Sequence, residues 1–314
     1  MALRVAHFDA PEIGRGSAAS PDRFSYRQLA LTIVGLSVMS LHLTGNLPVD
    51  DRLTIAACAA LIVFGLPHGS LDIALLRRNA RLGARQTLAV VQLYLSSAAA
   101  MYAVWHYAPV IALAIFFVMS CIHFAEDWAD ILPPFFAVGT AMAILTAPTL
   151  LHRDALAAIL VELTGASEAS VLVDIGTLAA PVALTAAGVG IWSMVQDRNR
   201  PQACETAIVI SAMIALPPVL GFALFFCLAH SPVQLAMAKA QFAPEIAPNN
   251  HVEIAVLTTA ALGITALVFA FGEAGSLADG AIRTSFVTLS ILTVPHMAVP
   301  MIVAAWHKHA RAIA

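Results

Sequence analysis

Long apolar runs alternate with short polar segments along almost the whole chain. The runs lie at about 28–46, 53–76, 87–105, 108–130, 134–151, 171–195, 203–217, 219–239, 252–272 and 282–306. Because roughly 20 apolar residues at about 1.5 Å of rise per residue cross the hydrocarbon core of a bilayer, each run predicts a membrane-spanning helix. We therefore expect an all-α fold, a polytopic transmembrane helical bundle of about ten spans, within a range of eight to ten.

Two segments leave the number of spans open. Only Pro217-Pro218 divides the apolar stretch 203–239, and residues 155–163 fit a short interfacial or re-entrant helix. We expect 28–306 to form a single transmembrane domain. The polar residues 1–27 do not have the pattern of a signal peptide and predict a disordered cytoplasmic tail, and 307–314 predict a second cytoplasmic tail.

The positions of lysine and arginine predict the orientation, because positively charged loops stay on the cytoplasmic side. With ten spans and an inside N-terminus, three of the 16 basic residues fall outside, namely Arg52, Arg153 and Arg283. The other thirteen fall on the inner side. This asymmetry predicts a multi-pass protein of the cell inner membrane with both termini cytoplasmic.

Composition excludes the soluble classes of protein. The chain is 60% hydrophobic and 11% charged, with a mean hydropathy of +0.84, and no soluble domain of this size has such values. A net charge of −3 argues against a nucleic-acid partner. The four cysteines lie within apolar runs without paired spacing, so we expect buried free thiols rather than a disulfide framework or a zinc ribbon.

Four of the eleven histidines lie well inside predicted spans, beside polar or helix-perturbing neighbours: His68, His123, His230 and His296. An ionisable side chain at this depth is costly unless it faces the protein interior and finds partners. In the predicted topology each stands about nine or ten residues before the inner end of its span, some 14 Å at about 1.5 Å per residue. Four imidazoles at one depth predict a metal site, and a set without thiolate suits iron, copper or zinc.

Hydrogen-bonding residues follow three of these histidines at the i+4 position: Asp72 after His68, Asp127 after His123, and Gln234 after His230. One helical turn on, a carboxylate or amide can fix the tautomer of a ligand histidine, and we expect this role for all three. A carboxylate could equally serve a histidine on a neighbouring helix.

Several other side chains near the histidines have more ordinary interpretations. We expect Glu126, close to the predicted inner boundary, to be interfacial. Five aromatic residues could line an apolar tunnel, although packing against lipid or core is the expectation: Phe116, Phe117, Phe225, Phe226 and Trp128.

At these residues the chain resembles the Brp/Blh family of bacterial and archaeal β-carotene 15,15′-dioxygenases. The matching segments occur in the family's order and spread over residues 65 to 297. They are Pro67-His68-Gly69-Ser70-Leu71-Asp72, His123-Phe124-Ala125-Glu126-Asp127, His230-Ser231 and Pro295-His296.

The resemblance implies a multi-span enzyme that uses non-haem Fe(II) and O₂ to split the central double bond of β-carotene into two retinals. His68, His123 and His230 match family histidines proposed to bind iron. The implied partners are β-carotene or a related carotenoid, O₂ and membrane lipid, with a functional link to a retinal-binding rhodopsin. Gln234 stands where the family typically has a further histidine, so either His296 completes the ligand set or three histidines bind the metal.

Other functions remain open at this point. Gln234 motivates a related membrane metalloenzyme that acts on another carotenoid or polyene. The intramembrane His–Asp pairs also suit a non-enzymatic proton-relay transporter, and two histidines could hold haem b. No Gly-x-Ser-x-Gly elbow or catalytic cysteine signature indicates a nucleophilic enzyme.

Overall fold

The structure, a computed structural model, describes residues 24–69, 72–79, 82–242, 249–271 and 275–313. Within these ranges the side chains of 66–69, 78–79, 239–242, 249–257, 271 and 303–313 are outside the description. Residues 1–23 of the predicted N-terminal tail also lie outside the described residues.

The described residues fold into helices connected by short turns, without any strand. In chain order the helices are α1 (Tyr26–Leu43), α2 (Asp51–Gly69), α3 (Asp72–Asn79), α4 (Ala84–Tyr107), α5 (Pro109–Ala125), α6 (Pro134–Thr146), α7 (Thr149–Thr164), α8 (Ser170–Gln196), α9 (Arg200–Ala215), α10 (Pro218–Leu224), α11 (Ser231–Phe242), α12 (Asn249–Phe271) and α13 (Leu277–Ile313). A 3₁₀ turn, Glu126–Trp128, follows α5, and a π-helix, Phe225–His230, joins α10 to α11.

Prolines determine where several helices begin. Pro134 and Pro218 each take the first helical position, where the missing N–H would have no partner in any case. Leu216 has extended backbone angles, φ −92° and ψ 153°, because the ring of a following proline disfavours helix. The apolar stretch 203–239 therefore divides at Pro217-Pro218, as the sequence predicts.

The all-helical membrane architecture is confirmed, but the count of ten spans is not. Among the described residues five helices are long and apolar enough to cross a membrane: Ala84–Tyr107, Pro109–Trp128, Ser167–Gln196, Pro218–Ala238 and Leu277–Ile302. The pair α6 and α7, bent by 63°, counts as a sixth if it is one broken span. Other predicted runs form shorter helices, such as the 16-residue α9. The orientation stays a prediction.

The first and last described helices lie close to the bounds of the predicted domain. Helix α1 begins at Tyr26, after a Ser25 cap that accepts a hydrogen bond from the backbone N–H of Gln28. Helix α13 continues to Ile313. The domain boundaries stay a prediction.

The four cysteines are free thiols. Cys58 and Cys227 are buried, as expected, whereas Cys121 and Cys204 are only partly buried.

Small residues let helices α6 and α8 approach each other closely. A Cβ atom added at Gly139 would lie only 2.5 Å from the Cβ of Ala186. Ala137, Ala141 and Ala183 of the same two helices are also buried. In a membrane, where lipid is as apolar as the helix surface, such close backbone packing is a main source of helix association.

A second close contact joins three of the helical segments that carry the predicted histidines. A Cβ atom at Gly65 of α2 would lie 2.9 Å from Leu289 Cδ2 on α13 and 3.3 Å from Phe226 Cε1 on the π-helix. The glycine therefore lets α2, α13 and the π-helix meet. Helix α5, which carries His123, also packs against α13.

Candidate functional site

Two buried imidazoles meet where α5 and the π-helix converge. His123 lies in the last turn of α5, and His230 is the last residue of the π-helix. Their Nε2 atoms are 3.2 Å apart, and their ring centroids lie 4.7 Å apart with the planes nearly perpendicular. Both side chains are buried, so the pair is shielded from the surroundings of the bundle.

His296 brings a third imidazole from α13. Its ring centroid lies 4.9 Å from that of His123, at an interplanar angle of 77°. Three of the four histidines that the sequence predicts to converge are thus in contact. The fourth, His68, belongs to α2, but its side chain lies outside the described residues.

Asp127 supports His230 from another helix. Its Oδ2 lies 2.8 Å from His230 Nδ1, and its Oδ1 accepts a hydrogen bond of 2.8 Å from Gln234 Nε2. The sequence left open whether Asp127 would serve His123, four residues before it, or a histidine on a neighbouring helix, and the contact is with the neighbouring His230. Gln234 acts on the cluster through the carboxylate rather than by direct contact with an imidazole.

Glu126, which we expected to be interfacial, contacts His123, with 3.1 Å between Oε2 and Nδ1. The physical reason is the end of α5 at Ala125, after which the chain continues as a 3₁₀ turn. Side chains three residues apart eclipse each other in that geometry, so position i+3 replaces position i+4 beside His123. The acidic character of Glu126 was the only sequence signal for this contact.

Asp72, at the start of α3, supports the third histidine. Its Oδ2 lies 2.7 Å from His296 Nδ1 and accepts a hydrogen bond of 3.2 Å from the Tyr94 hydroxyl. The sequence left open whether Asp72 would serve a neighbouring helix, and here it does. In all three contacts a carboxylate faces Nδ1, an arrangement that favours the tautomer with its lone pair on Nε2.

The distance between the imidazole nitrogens can be compared with the distance between two ligand nitrogens in a metal site. Two ligand nitrogens on one ion, each with a bond of about 2.1 Å, lie about 3.0–3.4 Å apart, and the Nε2 atoms of His123 and His230 match this spacing. Within the described side chains no group of three or more His, Cys, Asp or Glu is arranged to hold a metal ion as it stands. His123 and His230 therefore fit two adjacent ligand positions on one ion, and the ring of His296 lies next to that of His123.

An apolar cavity, here called the histidine cavity, borders the cluster. His123 and His296 lie on its wall, which is otherwise mainly aromatic and aliphatic; examples are Phe116, Phe124, Phe222, Phe226, Leu289 and Leu292. Of the three hydroxyls in the described wall, those of Tyr94, Ser120 and Thr293, two donate within the protein: Thr293 to the Leu289 carbonyl and Tyr94 to Asp72. The cavity therefore presents a hydrocarbon surface next to the imidazoles.

The five aromatic residues named from the sequence all belong to the hydrophobic core or pack against it. Phe116, Phe225, Phe226 and Trp128 are buried in the core, and Phe117 packs against it, so the expected packing is confirmed. Three of the five also line cavities. Phe116 and Phe226 line the histidine cavity, and Phe116 with Phe117 lines a second cavity described below.

Known proteins match most of this chain in sequence. A family model described as beta-carotene 15,15′-dioxygenase matches residues 59–306. A beta-carotene 15,15′-dioxygenase from the uncultured marine bacterium 66A03 is 26% identical over 263 residues, which cover 76% of this chain and 90% of the relative. A probable beta-carotene 15,15′-dioxygenase Blh from Halobacterium salinarum is 26% identical over 313 residues, which cover 86% and 90%. No solved structure matches the chain.

Proposed function

The chain belongs to the β-carotene 15,15′-dioxygenase family, and from this membership we propose that it is a membrane enzyme that cleaves β-carotene at its central double bond. The reaction consumes one O₂. The C15–C15′ double bond breaks, and each of its carbons receives one oxygen atom, so two molecules of all-trans-retinal form. Two relatives that carry this activity in their names support the assignment.

The observation that carries the proposal is the contact between a hydrocarbon cavity and a cluster of imidazoles within a membrane bundle. His123 and His296 lie on the wall of a cavity that also contains Phe116, Phe222 and Phe226. A polyene has no hydrogen-bonding groups along its chain, so a wall that is mainly aromatic and aliphatic is well suited to it. Binding then depends on apolar contact and shape.

We propose Fe(II) as the metal, held by His68, His123, His230 and His296. The iron would supply the activation of O₂, and neutral imidazoles without thiolate suit it. The residues of the chain orient these ligands. Asp127, Glu126 and Asp72 each face an Nδ1 atom, so the Nε2 lone pairs are available for the ion.

His296 completes the ligand set in this proposal, in place of the histidine that the family has at position 234. Its ring lies against that of His123, and Asp72 holds its Nδ1. Gln234 is engaged with Asp127 and so contributes to the orientation of His230. The absence of a histidine at this position is then compatible with a complete site.

One detergent-purified sample tests both the metal and the reaction. We expect about one iron per chain by elemental analysis, no Soret band, and retinal as the product of β-carotene under O₂. His123→Ala is expected to lose iron and retinal formation while the protein still inserts into the membrane. Wild-type iron content in this variant would contradict the ligand assignment. Other short carotenals in place of retinal would indicate a different carotenoid or cleavage position.

A further inference from the structure

A second cavity, here called the distal cavity, adjoins the histidine cavity. The two share three lining residues, Phe116, Ser120 and Phe222. The remaining wall is formed by α5, α7, α9 and their neighbours, with side chains that include Leu113, Phe117, Leu160, Leu163, Met213 and Phe286. Among the described residues that line it, Ser120 alone has a polar side chain.

The shared residues place the two cavities next to each other along α5. His123 borders the histidine cavity, and Leu113 borders the distal cavity. His123 follows Leu113 by ten positions, which corresponds to about 15 Å at about 1.5 Å per residue. This distance is comparable to one half of an extended C40 polyene measured from its central double bond.

The bend between α6 and α7 brings α7 to the wall of the distal cavity. The two helices meet at 63°, and α7 contributes Leu156, Leu160 and Leu163 to this wall. Leu160 and Leu163 are buried. Helix α7 therefore gives the distal cavity a buried apolar wall, and such a wall can limit how far a linear molecule enters.

We propose that the distal cavity is the binding subsite for one half of the polyene substrate, and that the distance along α5 from this cavity to His123 places the central double bond beside the histidine cluster. This inference rests on the proposed function and adds the residues that select substrate length. One ring and its half chain occupy the distal cavity, beyond Phe116 and Phe222. The other half occupies the histidine cavity.

Two substitutions that fill the distal cavity from different helices test this subsite. Leu160→Trp enters from α7 and Met213→Trp from α9, and neither residue borders the histidine cavity. For β-carotene we expect kcat/KM to fall at least about tenfold, mainly through KM, as is usual when a hydrophobic pocket is blocked. An apocarotenal with one truncated half leaves the distal cavity largely empty, so its turnover is expected to stay near that of the wild type.

Leu151→Trp is the matched control, because this residue lies on α7 but is 67% exposed. It is expected to leave both substrates unaffected. Iron content and melting temperature are measured for every variant. If Leu160→Trp does not fold, Met213→Trp carries the test. Equal losses for β-carotene and the apocarotenal in folded, iron-loaded variants would overturn the proposal.

Measurements of β-carotene binding test the distal subsite independently of the proposed reaction. If the wild type forms no retinal, retention of β-carotene by purified protein is compared between the wild type and Leu160→Trp. At least about tenfold weaker retention in the variant supports the subsite even then, and equal retention overturns it. Native mass spectrometry tests whether a phospholipid occupies the distal cavity instead of the carotenoid. A phospholipid that is lost in Leu160→Trp while carotenoid retention stays unchanged would also overturn the proposal.

Discussion

Asp127 links Gln234 to the histidine cluster. One carboxylate oxygen faces His230 Nδ1 and the other accepts the amide N–H of Gln234, each at 2.8 Å. A carboxylate with both oxygens engaged has little freedom to turn, and it fixes the ring of His230 in turn. A donor at position 234 is therefore the physical requirement, and either glutamine or histidine can meet it.

Replacement of Gln234 by histidine and by leucine tests whether this side chain acts as a hydrogen-bond donor or only by packing. Gln234→His keeps an N–H for Asp127 and is expected to retain iron and retinal formation. Gln234→Leu has nearly the same size without a donor, so we expect iron affinity to fall about tenfold. Metal titration of the two purified variants measures this. Equal affinity in both would show that the contact with Asp127 does not matter for the site.

Asp72→Asn tests the support of His296. The amide keeps the shape but removes the negative charge beside Nδ1, so we expect iron affinity to fall about 10- to 100-fold. Tyr94→Phe is the matched variant, because it removes only the hydroxyl that donates to the same carboxylate. Its effect is expected to be smaller. Unchanged iron affinity in Asp72→Asn would remove His296 from the ligand set.

At the residue scale the sequence revealed the histidines better than their partners. His123 and His230 were recognisable because ionisable groups in an apolar run need a function or a partner. Their partners could not be assigned, since the i, i+4 rule holds only while the helix continues. Helix α5 ends at Ala125, and this end moves Glu126 to His123 and Asp127 to His230.

The π-helix Phe225–His230 determines how His230 enters the site. Such segments interrupt the regular α-helical register and are frequent at functional sites. Arg27 of α1 donates to the carbonyl of Leu228 within the segment at 3.3 Å, and the hydroxyl of Ser231 donates to the carbonyl of Phe64. The preceding sequence is apolar on every side, so no periodic pattern could have revealed the change of register.

The ion pair between Arg27 and Glu205 supports this π-helix, and Glu205→Gln tests its contribution. The pair is bidentate, with 2.8 Å between Arg27 Nη2 and Glu205 Oε2, and Glu205 is buried. Loss of the carboxylate charge leaves a partly buried guanidinium without its counter-charge, which costs about 1–3 kcal/mol. We expect a lower melting temperature in detergent and weaker iron retention.

The exposed ion pair of Arg153 with Asp174 provides the control for this experiment. Asp174→Asn also removes one carboxylate charge from an arginine, but solvent already screens both side chains, so little change in melting temperature is expected. Similar decreases for Glu205→Gln and Asp174→Asn would show that the Arg27 pair has no special role beside the π-helix.

The whole molecule presents apolar side chains outward, as a membrane protein does. On α8, Leu178, Val182 and Trp192 are exposed, and α1 exposes Ile33 and Leu36. Contiguous apolar surface of this kind is unusual for a soluble monomer and is suited to lipid. Hydropathy located these helices along the chain, but it could not locate the bends, such as the 63° between α6 and α7, that reduce the number of full spans.

We expect the histidine cavity to open to the membrane between α4 and α12. Leu95 of α4 lines the cavity and is 53% exposed, and Ala260 of α12 lines it and is exposed as well. A hydrocarbon dissolved in the bilayer could enter here without passing through water. Leu95→Trp should narrow this opening.

Leu95→Trp is therefore expected to lower kcat/KM for β-carotene supplied in liposomes by about tenfold, with iron content and melting temperature unchanged. Leu88→Trp is the control, because Leu88 lies on the same helix, is 59% exposed and lies outside the cavity wall. Since every substrate would use the same opening, Leu95→Trp should slow a truncated apocarotenal as much as β-carotene, unlike substitutions in the distal cavity. Equal rates for Leu95→Trp and Leu88→Trp would place the entrance elsewhere.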